Sequence, residues 1–421
     1  MAKKSRIYLD YASLTPVDTR VLREMGKFST MDFANPSSLY MEGVAAKKAL
    51  EDGRKRVAGF LHAHSDEIVF TSGGTEANGL ALEGAGRAAR HTGIEKPHLI
   101  ISAIEHSSVI EAANMMEKHG VEVTRLGVDA SGRISLDELK KSIKPNTFMV
   151  SIMTVNNEIG TIQPIREIAK IIRHARKGFS DKGREAKLST YPLFHTDAAQ
   201  AALYGDLNME NFGVDLLTLD ASKVYGPRGM GALYVKRGTP IEPIIYGGGQ
   251  ERGLRSGTEN IPAIMGFAKA LELATSERVK ESARVSELRQ ILIEGLKAIR
   301  SDIFVNPAEI DAAEGNGGTS PVLKSAKYSK VTTKVVTSTK SPHILNVSIP
   351  GIDSEFFVLQ LDVRGIACST KSSCLRDADE SYVLKAIGAN SSESVRFSFG
   401  RWTDKGDLKK ALKAIKEILK K

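Results

Sequence analysis

The sequence predicts an α/β protein: two or three domains, or one large α/β domain with a smaller companion. Three observations carry this prediction. Apolar runs that read as buried strands alternate with stretches of helical periodicity through the first 235 residues. Polar residues gather where those runs end, which is where open α/β sheets hold ligands. The chain has 421 residues, 41% hydrophobic and 26% charged, enough for a large core and a second unit.

The elements follow in order. IYLDYASLTPVD (7–18) opens with a short strand and a Thr-Pro turn. NPSSLYMEGVAAKKALEDGRKRVAGFL (35–61) starts with a turn and a serine cap, then runs at helical spacing through Val44, Leu50, Val57 and Leu61. EIVFTSGGTEANGLALEGAGRAAR (67–90) reads as strand, Gly-Gly turn and helix, the helix starting near Thr75. Free N–H groups and the helix dipole make such a turn a ready anion site, and the Thr75 hydroxyl adds a donor. A plain N-cap explains the same segment. No GxxxxGK[ST] loop occurs, and GAGRAA (84–89) lies inside a helical pattern rather than after a strand, so neither nucleotide motif applies.

HLIISAIEHSSVIEAANMMEKHG (98–120) repeats strand, loop and helix, with Glu105 and His106 in the loop. TFMVSIMTVNNEIGTIQPI (147–165) is a buried strand ending in Asn156, Asn157 and Glu158. LFHTDAAQAALYGD (193–206) is a strand ending in Asp197, with Gln200 just beyond. LLTLDASKVYGPRGMGALYV (216–235) gives a strand, a polar turn with Ser222 and Lys223, a Gly-Pro loop and a second strand. A glycine-rich segment (244–257) leads into long charged helices that reach residue 300 or so. Residues 306–341 are poor in large apolar side chains and read as a long exposed loop or partly ordered hairpin. Residues 343–370 return to strand, helix and strand. A polar loop with Cys374 follows, then a strand in SVRFSFGRWT (394–403). The closing helix carries Leu408, Leu412, Ile415 and Leu419 on one stripe, and packing on a small-domain sheet is its expected use, rather than lying on a membrane.

Composition excludes several classes. Two cysteines, Cys368 and Cys374, rule out a disulfide framework and a cysteine-based structural zinc site. There is no 18-residue apolar run and no apolar leader segment, so the protein is expected to be cytoplasmic, with no membrane partner. The net charge of +9 is spread along the chain and concentrated at 324–340 and in the last helix, so a solvated basic surface is expected and direct nucleic-acid binding is not.

The residues at the strand ends answer separate demands of one kind of cofactor. An aldehyde with a pyridine ring and a phosphate needs a lysine for an imine, a carboxylate for the ring nitrogen, an anion cradle and something flat to stack on. Lys223, Asp197, the SGGT turn and His106 offer one group for each.

The chain resembles the cysteine desulfurase family of the class V aminotransferase group. YLDYASLTPVD, SGGTEANGLAL, EHSSVI, VNNEIGTIQPI, HTDAAQ, SKVYGPRGMGALYV, GGGQERGLRSGTEN, ILNVS, SYVL and VRFSFGR match that family's blocks in order and span nearly the whole length. The resemblance implies the type I fold of pyridoxal-phosphate enzymes, with a large domain of mainly parallel mixed sheet flanked by helices (16–262) and a smaller α+β domain (1–15 and 263–421). It implies pyridoxal 5′-phosphate as cofactor and L-cysteine as substrate, converted to L-alanine. Lys223 would form the imine, His106 stack on the ring, Asp197 pair with the ring nitrogen and Gln200 bond the ring hydroxyl. Gly74, Thr75 and Ser222 would hold the phosphate. Thr258 would reach the phosphate of the other subunit, which requires a homodimer with shared sites. Asn157 would lie at cofactor and substrate, and Arg396 would clamp the substrate carboxylate. Cys374 would be the nucleophile that becomes a persulfide and passes sulfur to an acceptor protein, for iron–sulfur cluster assembly or tRNA thiolation. Cys368 matches an ordinary strand position, and a buried hydrophobe is its expected role. Other class V activities, selenocysteine lyase or aminotransferase, and a degenerate partner-binding paralogue are the alternatives.

Four departures from the family pattern matter. The cofactor turn reads Asp220-Ala221-Ser222-Lys223, with aspartate and serine where the family has serine and histidine. An anion beside a phosphate is unfavourable, so Asp220 is expected to point elsewhere or be neutralised, leaving cofactor binding intact but weaker. Lys371 stands where many relatives have a glycine in the Cys374 loop, and its charge is expected to lower the thiol pKa. Residues 306–341 are longer than usual and read as an insertion. The chain stops soon after the last helix, where housekeeping relatives extend a tail that docks an iron–sulfur scaffold.

Overall fold

The computed structural model describes residues 6–30, 33–181, 185, 188–307, 339–370 and 380–420. Its strands are β1 (Ile7–Tyr8), β2 (Ile68–Thr71), β3 (His98–Ser102), β4 (Glu122–Leu126), β5 (Thr147–Ser151) and β6 (Leu193–Asp197). They continue with β7 (Leu216–Asp220), β8 (Gly231–Val235), β9 (Phe304–Asn306), β10 (Ile344–Ser348), β11 (Ile366–Ala367) and β12 (Ser394–Ser398). Seven of them form one sheet in the order β2-β8-β7-β6-β5-β3-β4. From β7 to β4 the neighbours are parallel, and β8 runs antiparallel to both β7 and β2. This is the mainly parallel mixed sheet of the type I fold.

Burial on both faces explains the uninterrupted apolar runs. Every residue of β3, β5, β6 and β8 is buried. Side chains alternate between two cores. Val69, Leu99, Ile101, Met149 and Leu193 pack on one side with the helix Ser107–Lys118. Ile68, Phe70, Ile100, Val150 and Phe194 pack on the other with the helices Met41–Leu61 and Ile165–Asp181. β4 is the edge, and its Glu122 and Arg125 are exposed, which blunts it against further pairing.

A smaller antiparallel sheet, β12-β10-β9, has its own core with Leu345, Val347, Val395 and Phe397 at its centre. The helix Lys405–Leu419 packs there through Leu408, Ala411 and Ile415, the use expected for its apolar stripe. β1 pairs with β11 in parallel, bringing the chain's start to this second core.

The stretch expected to hold several charged helices is one helix, Ile261–Ile299. Asn260 caps it, accepting the Ala263 N–H at 3.1 Å. Its first half buries Ile264, Phe267 and Leu271 in the large core, beside the helices Thr19–Thr30 and Met41–Leu61, and its second half buries Val285, Leu288 and Leu292 in the small core. Two buried faces hold a 39-residue helix that charge-rich local sequence alone does not delimit. The helix Met41–Leu61 also differs from expectation, because its first residue follows Tyr40 and no serine caps it. Ser37 is used one step earlier, where its N–H is taken by Asn35 Oδ1 at 2.9 Å.

Candidate active site

The carboxyl ends of β3, β5, β6 and β7, together with the turn after β2, open on one cavity of about 180 Å³. Its lining includes Gly74, Thr75, His106, Asn157, Asp197, Gln200, Lys223 and Arg396. Residues from Gly74 to Lys223 are brought together because the strands of the large sheet that run in one direction deliver their following loops to the same end, and Arg396 joins them from the small sheet.

The turn after β2 is shaped by close approach. Gly73 has φ +151°, and Gly231 at the start of β8 lies so near it that an added Cβ would sit 2.6 Å from the Gly73 carbonyl carbon. The helix that follows, Gly74–Gly79, runs through a π turn (Leu80–Gly84) into Ala85–His91. GAGRAA is thus helical, in line with its exclusion as a dinucleotide motif.

Asp197, at the end of β6, is buried, and its charge is held by two donors. Its Oδ1 accepts the Ala199 N–H at 2.9 Å and its Oδ2 accepts from Asn78 Nδ2 at 2.8 Å. Asn78 Nδ2 also donates to Ser108 Oγ at 2.8 Å, and Ser108 Oγ meets His106 Nδ1 at 2.8 Å. A continuous chain of hydrogen bonds therefore links the candidate ring-stacking histidine to the candidate ring-nitrogen carboxylate. Asn78 was not singled out from the sequence. The available signal was its place four residues after Gly74, which puts both on one helix face. Its Oδ1 is buried without a hydrogen-bond partner among the described residues, an open acceptor at the cavity wall.

Gln200 is fixed on both sides. Its Nε2 donates to the Ala12 carbonyl at 2.8 Å, and its Oε1 faces His343 Nε2 at 3.2 Å. Burial pushes the His343 imidazole down to about 3, so it stays neutral and donates from one nitrogen. Behind His106, Glu105 is fully enclosed. It is bonded by Ser102 Oγ and by the Met153 N–H at 3.0 Å. Burial, with the Asp197 charge nearby, raises its carboxyl to about 8, so Glu105 is an uncharged acid at neutral pH.

Lys223 follows β7 in a single 3-10 turn, Ala221–Lys223, and donates to the Ser13 carbonyl. Arg396, in β12, is 1% exposed. It donates to the Asn157 carbonyl at 2.9 Å, Asp10 Oδ1 at 2.8 Å and Ser13 Oγ at 2.7 Å. The small core thus delivers a guanidinium to a cavity built on the large sheet, and the N-terminal strand supplies its counterion. Asp10 and Ser13 escaped notice because their relevance depends on the β1–β11 pairing, a contact across most of the chain.

The placement of Asp220 departs from one of the two outcomes expected for it. Asp220 does not point elsewhere. It lines the cavity, and its carboxylate accepts the Ser222 N–H at 2.8 Å and the Gly74 N–H at 3.0 Å. The reason is local: an aspartate ending a strand before a helical turn caps that turn, and the glycine turn beside it offers another free donor. Ser222 contributes its backbone N–H to that cap, and its side chain is not among the cavity-lining groups. Thr258 is exposed and lines a separate hollow with Phe28, Phe33 and Asn35. Its own chain does not bring it to the cavity.

Cys374 and Lys371 lie outside the described residues, as does most of 306–341. The chain on either side of 371–379 is anchored beside the cavity. Ser369 N–H donates to the Arg396 carbonyl at 3.1 Å, and Ser381 Oγ donates to Glu158 Oε2 at 2.6 Å. Val383 and Leu384 pack on Ile104 and Ile159. Cys368 is half-buried against the small core, and burial pushes its thiol pKa up, away from reactivity.

These groups fit an aldehyde cofactor with a pyridine ring at Lys223 and Asp197, whereas the glycine turn already faces the Asp220 carboxylate. Among the described residues no helix is long and apolar enough to cross a membrane.

Comparison with known proteins places these residues in context. Residues 7–315 match the family model described as aminotransferase class-V. The chain is 38% identical over 423 residues to the cysteine desulfurase IscS of Dictyoglomus turgidum, covering 99% of this chain and 95% of that protein. A solved NifS-like protein superposes with a TM-score of 0.81 at 32% identity, covering 99% of each chain. The structure of SspA in complex with cysteine superposes with a TM-score of 0.73 at 33% identity, over 93% of this chain and 98% of that one.

Proposed function

The chain belongs to the aminotransferase class-V family, and on that premise we propose that it is a pyridoxal-phosphate-dependent L-cysteine desulfurase. It converts L-cysteine to L-alanine and keeps the sulfur as a persulfide on Cys374. The observation that carries this reading is the meeting of Lys223, Asp197 and Arg396 in one cavity whose rim anchors both ends of the segment bearing Cys374. A relative's complex with cysteine supports the substrate.

The residues take these roles. Bound in the cavity, pyridoxal phosphate supplies an electron-withdrawing ring that stabilises negative charge beside the bond being broken. Lys223 would hold the aldehyde through its amine and would move the substrate α-proton. Asp197, held in place by Asn78 Nδ2 and the Ala199 N–H, would pair with the ring nitrogen. His106 and Gln200 position the ring, Asn157 lies at the ring and substrate, and Thr75 and Gly74 lie at the phosphate. Arg396 takes the substrate carboxylate, its guanidinium plane set by Asp10, Ser13 and the Asn157 carbonyl. The Cys374 thiolate attacks the substrate sulfur. An S–S bond forms, the substrate C–S bond breaks with its electron pair left on carbon, and carbon takes a proton, so no external oxidant is needed.

The assembly is a homodimer with shared sites. This reading is supported by the exposed, remote Thr258 and by the exposed apolar side chains of Phe33, Leu39, Met41 and Tyr246. The separate packing of the two sheets supports a division into a large and a small unit, with the second boundary inside the helix Ile261–Ile299 rather than at 262, because Ile264, Phe267 and Leu271 belong to the large core. The reaction belongs in a reducing compartment, the cytoplasm, where a catalytic thiol stays reduced. The persulfide goes to an acceptor protein serving iron–sulfur assembly or tRNA thiolation. The test is cysteine turnover with persulfide trapping and mass spectrometry. Alanine formation with a trapped persulfide on Cys374, lost in Cys374→Ser, is expected. Alanine and sulfide formation unchanged in Cys374→Ser would refute it.

A further inference from the structure

We infer that Asp220 is a built-in anion that competes with the cofactor phosphate for the glycine turn, so that this site separates pyridoxal phosphate from unphosphorylated pyridoxal only weakly. The inference rests on the cofactor reading above and concerns a residue to which that reading gives no role.

Geometry carries it. Two backbone donors of the turn, the Gly74 and Ser222 N–H groups, already point at the Asp220 carboxylate, at 3.0 and 2.8 Å. The carboxylate lies directly on the turn, since a Cβ added to Gly74 would meet Asp220 Oδ2 at 3.2 Å. A phosphate oxygen seated on the Gly74 N–H must displace Oδ2 or lie against it. Displacement gives up the cap on the turn that carries Lys223. Coexistence sets two anions side by side where solvent screening is reduced. The cavity's own cations do not offset this, because in the cofactor reading Lys223 is taken by the aldehyde, and Arg396 is paired with Asp10. Pyridoxal has no phosphate and meets neither obstacle. The Lys223 and Asp197 end is the same for both aldehydes.

The test titrates the cofactor-free full-length protein with pyridoxal phosphate and, separately, pyridoxal. It follows the visible absorbance of the lysine-bound aldehyde in wild type, Asp220→Asn and Asp220→Ser. Asparagine keeps an acceptor for the Ser222 cap and removes the charge. Pyridoxal phosphate is expected to bind about tenfold to a hundredfold more tightly in Asp220→Asn, a gain of roughly 1.4 to 3 kcal/mol, with pyridoxal affinity unchanged within about twofold. In wild type the two aldehydes should differ by less than about a hundredfold. Equal pyridoxal phosphate affinity in wild type and Asp220→Asn overturns the inference, as does equal tightening of both aldehydes. If neither variant folds, the wild-type ratio decides, and a preference for the phosphorylated aldehyde above about a thousandfold overturns it. Absorbance with pyridoxal that is lost in Lys223→Ala shows that the cofactor reading stands whatever Asp220 does. Absence of absorbance with both aldehydes refutes the cofactor reading and this inference together.

Discussion

Replacing Glu105 by glutamine is expected to remove a specific slope from the protein's stability against pH. Glu105 is fully enclosed behind His106, and burial raises its carboxyl from 4.5 to about 8. The folded state therefore keeps a proton that the unfolded chain releases. Stability from this group is fully present below about pH 4.5 and is lost as pH rises towards about 8. Between about pH 5 and about pH 8 the loss integrates to roughly 3 to 4 kcal/mol, and full burial leaves no solvent screening to discount. Glutamine keeps an acceptor for the Met153 N–H, presently met at 3.0 Å, and cannot ionise. Urea unfolding of wild type and Glu105→Gln at several pH values reads the effect as a difference. The variant should gain on wild type as pH rises, by close to 1 M in midpoint over that range for a chain this large. A midpoint difference that does not change with pH would show that Glu105 ionises without penalty, and the argument from burial would fail.

Three further outcomes are expected. Arg396→Lys exchanges a planar fork bonded to Asp10, Ser13 and the Asn157 carbonyl for a point charge, so kcat/KM for cysteine should fall about 30- to 100-fold, mostly through KM. An unchanged KM would remove Arg396 from the substrate carboxylate. Asn78→Ala takes one of two donors from the buried Asp197, a loss of about 1.5 to 3 kcal/mol, and should weaken cofactor binding at least tenfold by absorbance titration. Cofactor affinity equal to wild type would show that Asp197 needs no support from Asn78. Gly231→Ala drives a Cβ to 2.6 Å from the Gly73 backbone and should cost about 1 to 3 kcal/mol, seen as a lower Tm, with a Tm equal to wild type counting against the close approach.

Much of the architecture was legible because it is periodic. Continuous apolar runs such as HLIIS and TFMVS announce strands covered on both faces, and the turn chemistry after each predicts where polar side chains collect. Lys223, Asp197, His106 and Gln200 were found this way, each at a strand's carboxyl end. Local signals failed where a partner is remote. The helix Ile261–Ile299 is one piece because two different cores bury its two halves. The serine-rich turn before Met41 looked like a cap, yet its N–H groups are spent within the turn itself.

The chain by itself determined the strand–helix alternation, the strand-end constellation and the match of its motifs to one family, since each depends on residues close together in sequence. The tertiary structure decided which of these residues meet and what they meet. It set Asp10 against Arg396, 386 positions apart, and closed the hydrogen-bond chain from His106 through Asn78 to Asp197. It also set aside one of the two alternatives for Asp220, that it points elsewhere. Charge repulsion argued from composition of the turn sent that carboxylate away from the phosphate end. The folded backbone aims the Gly74 and Ser222 N–H groups at it, and leaving such part-buried donors without an acceptor is costly enough to hold it there.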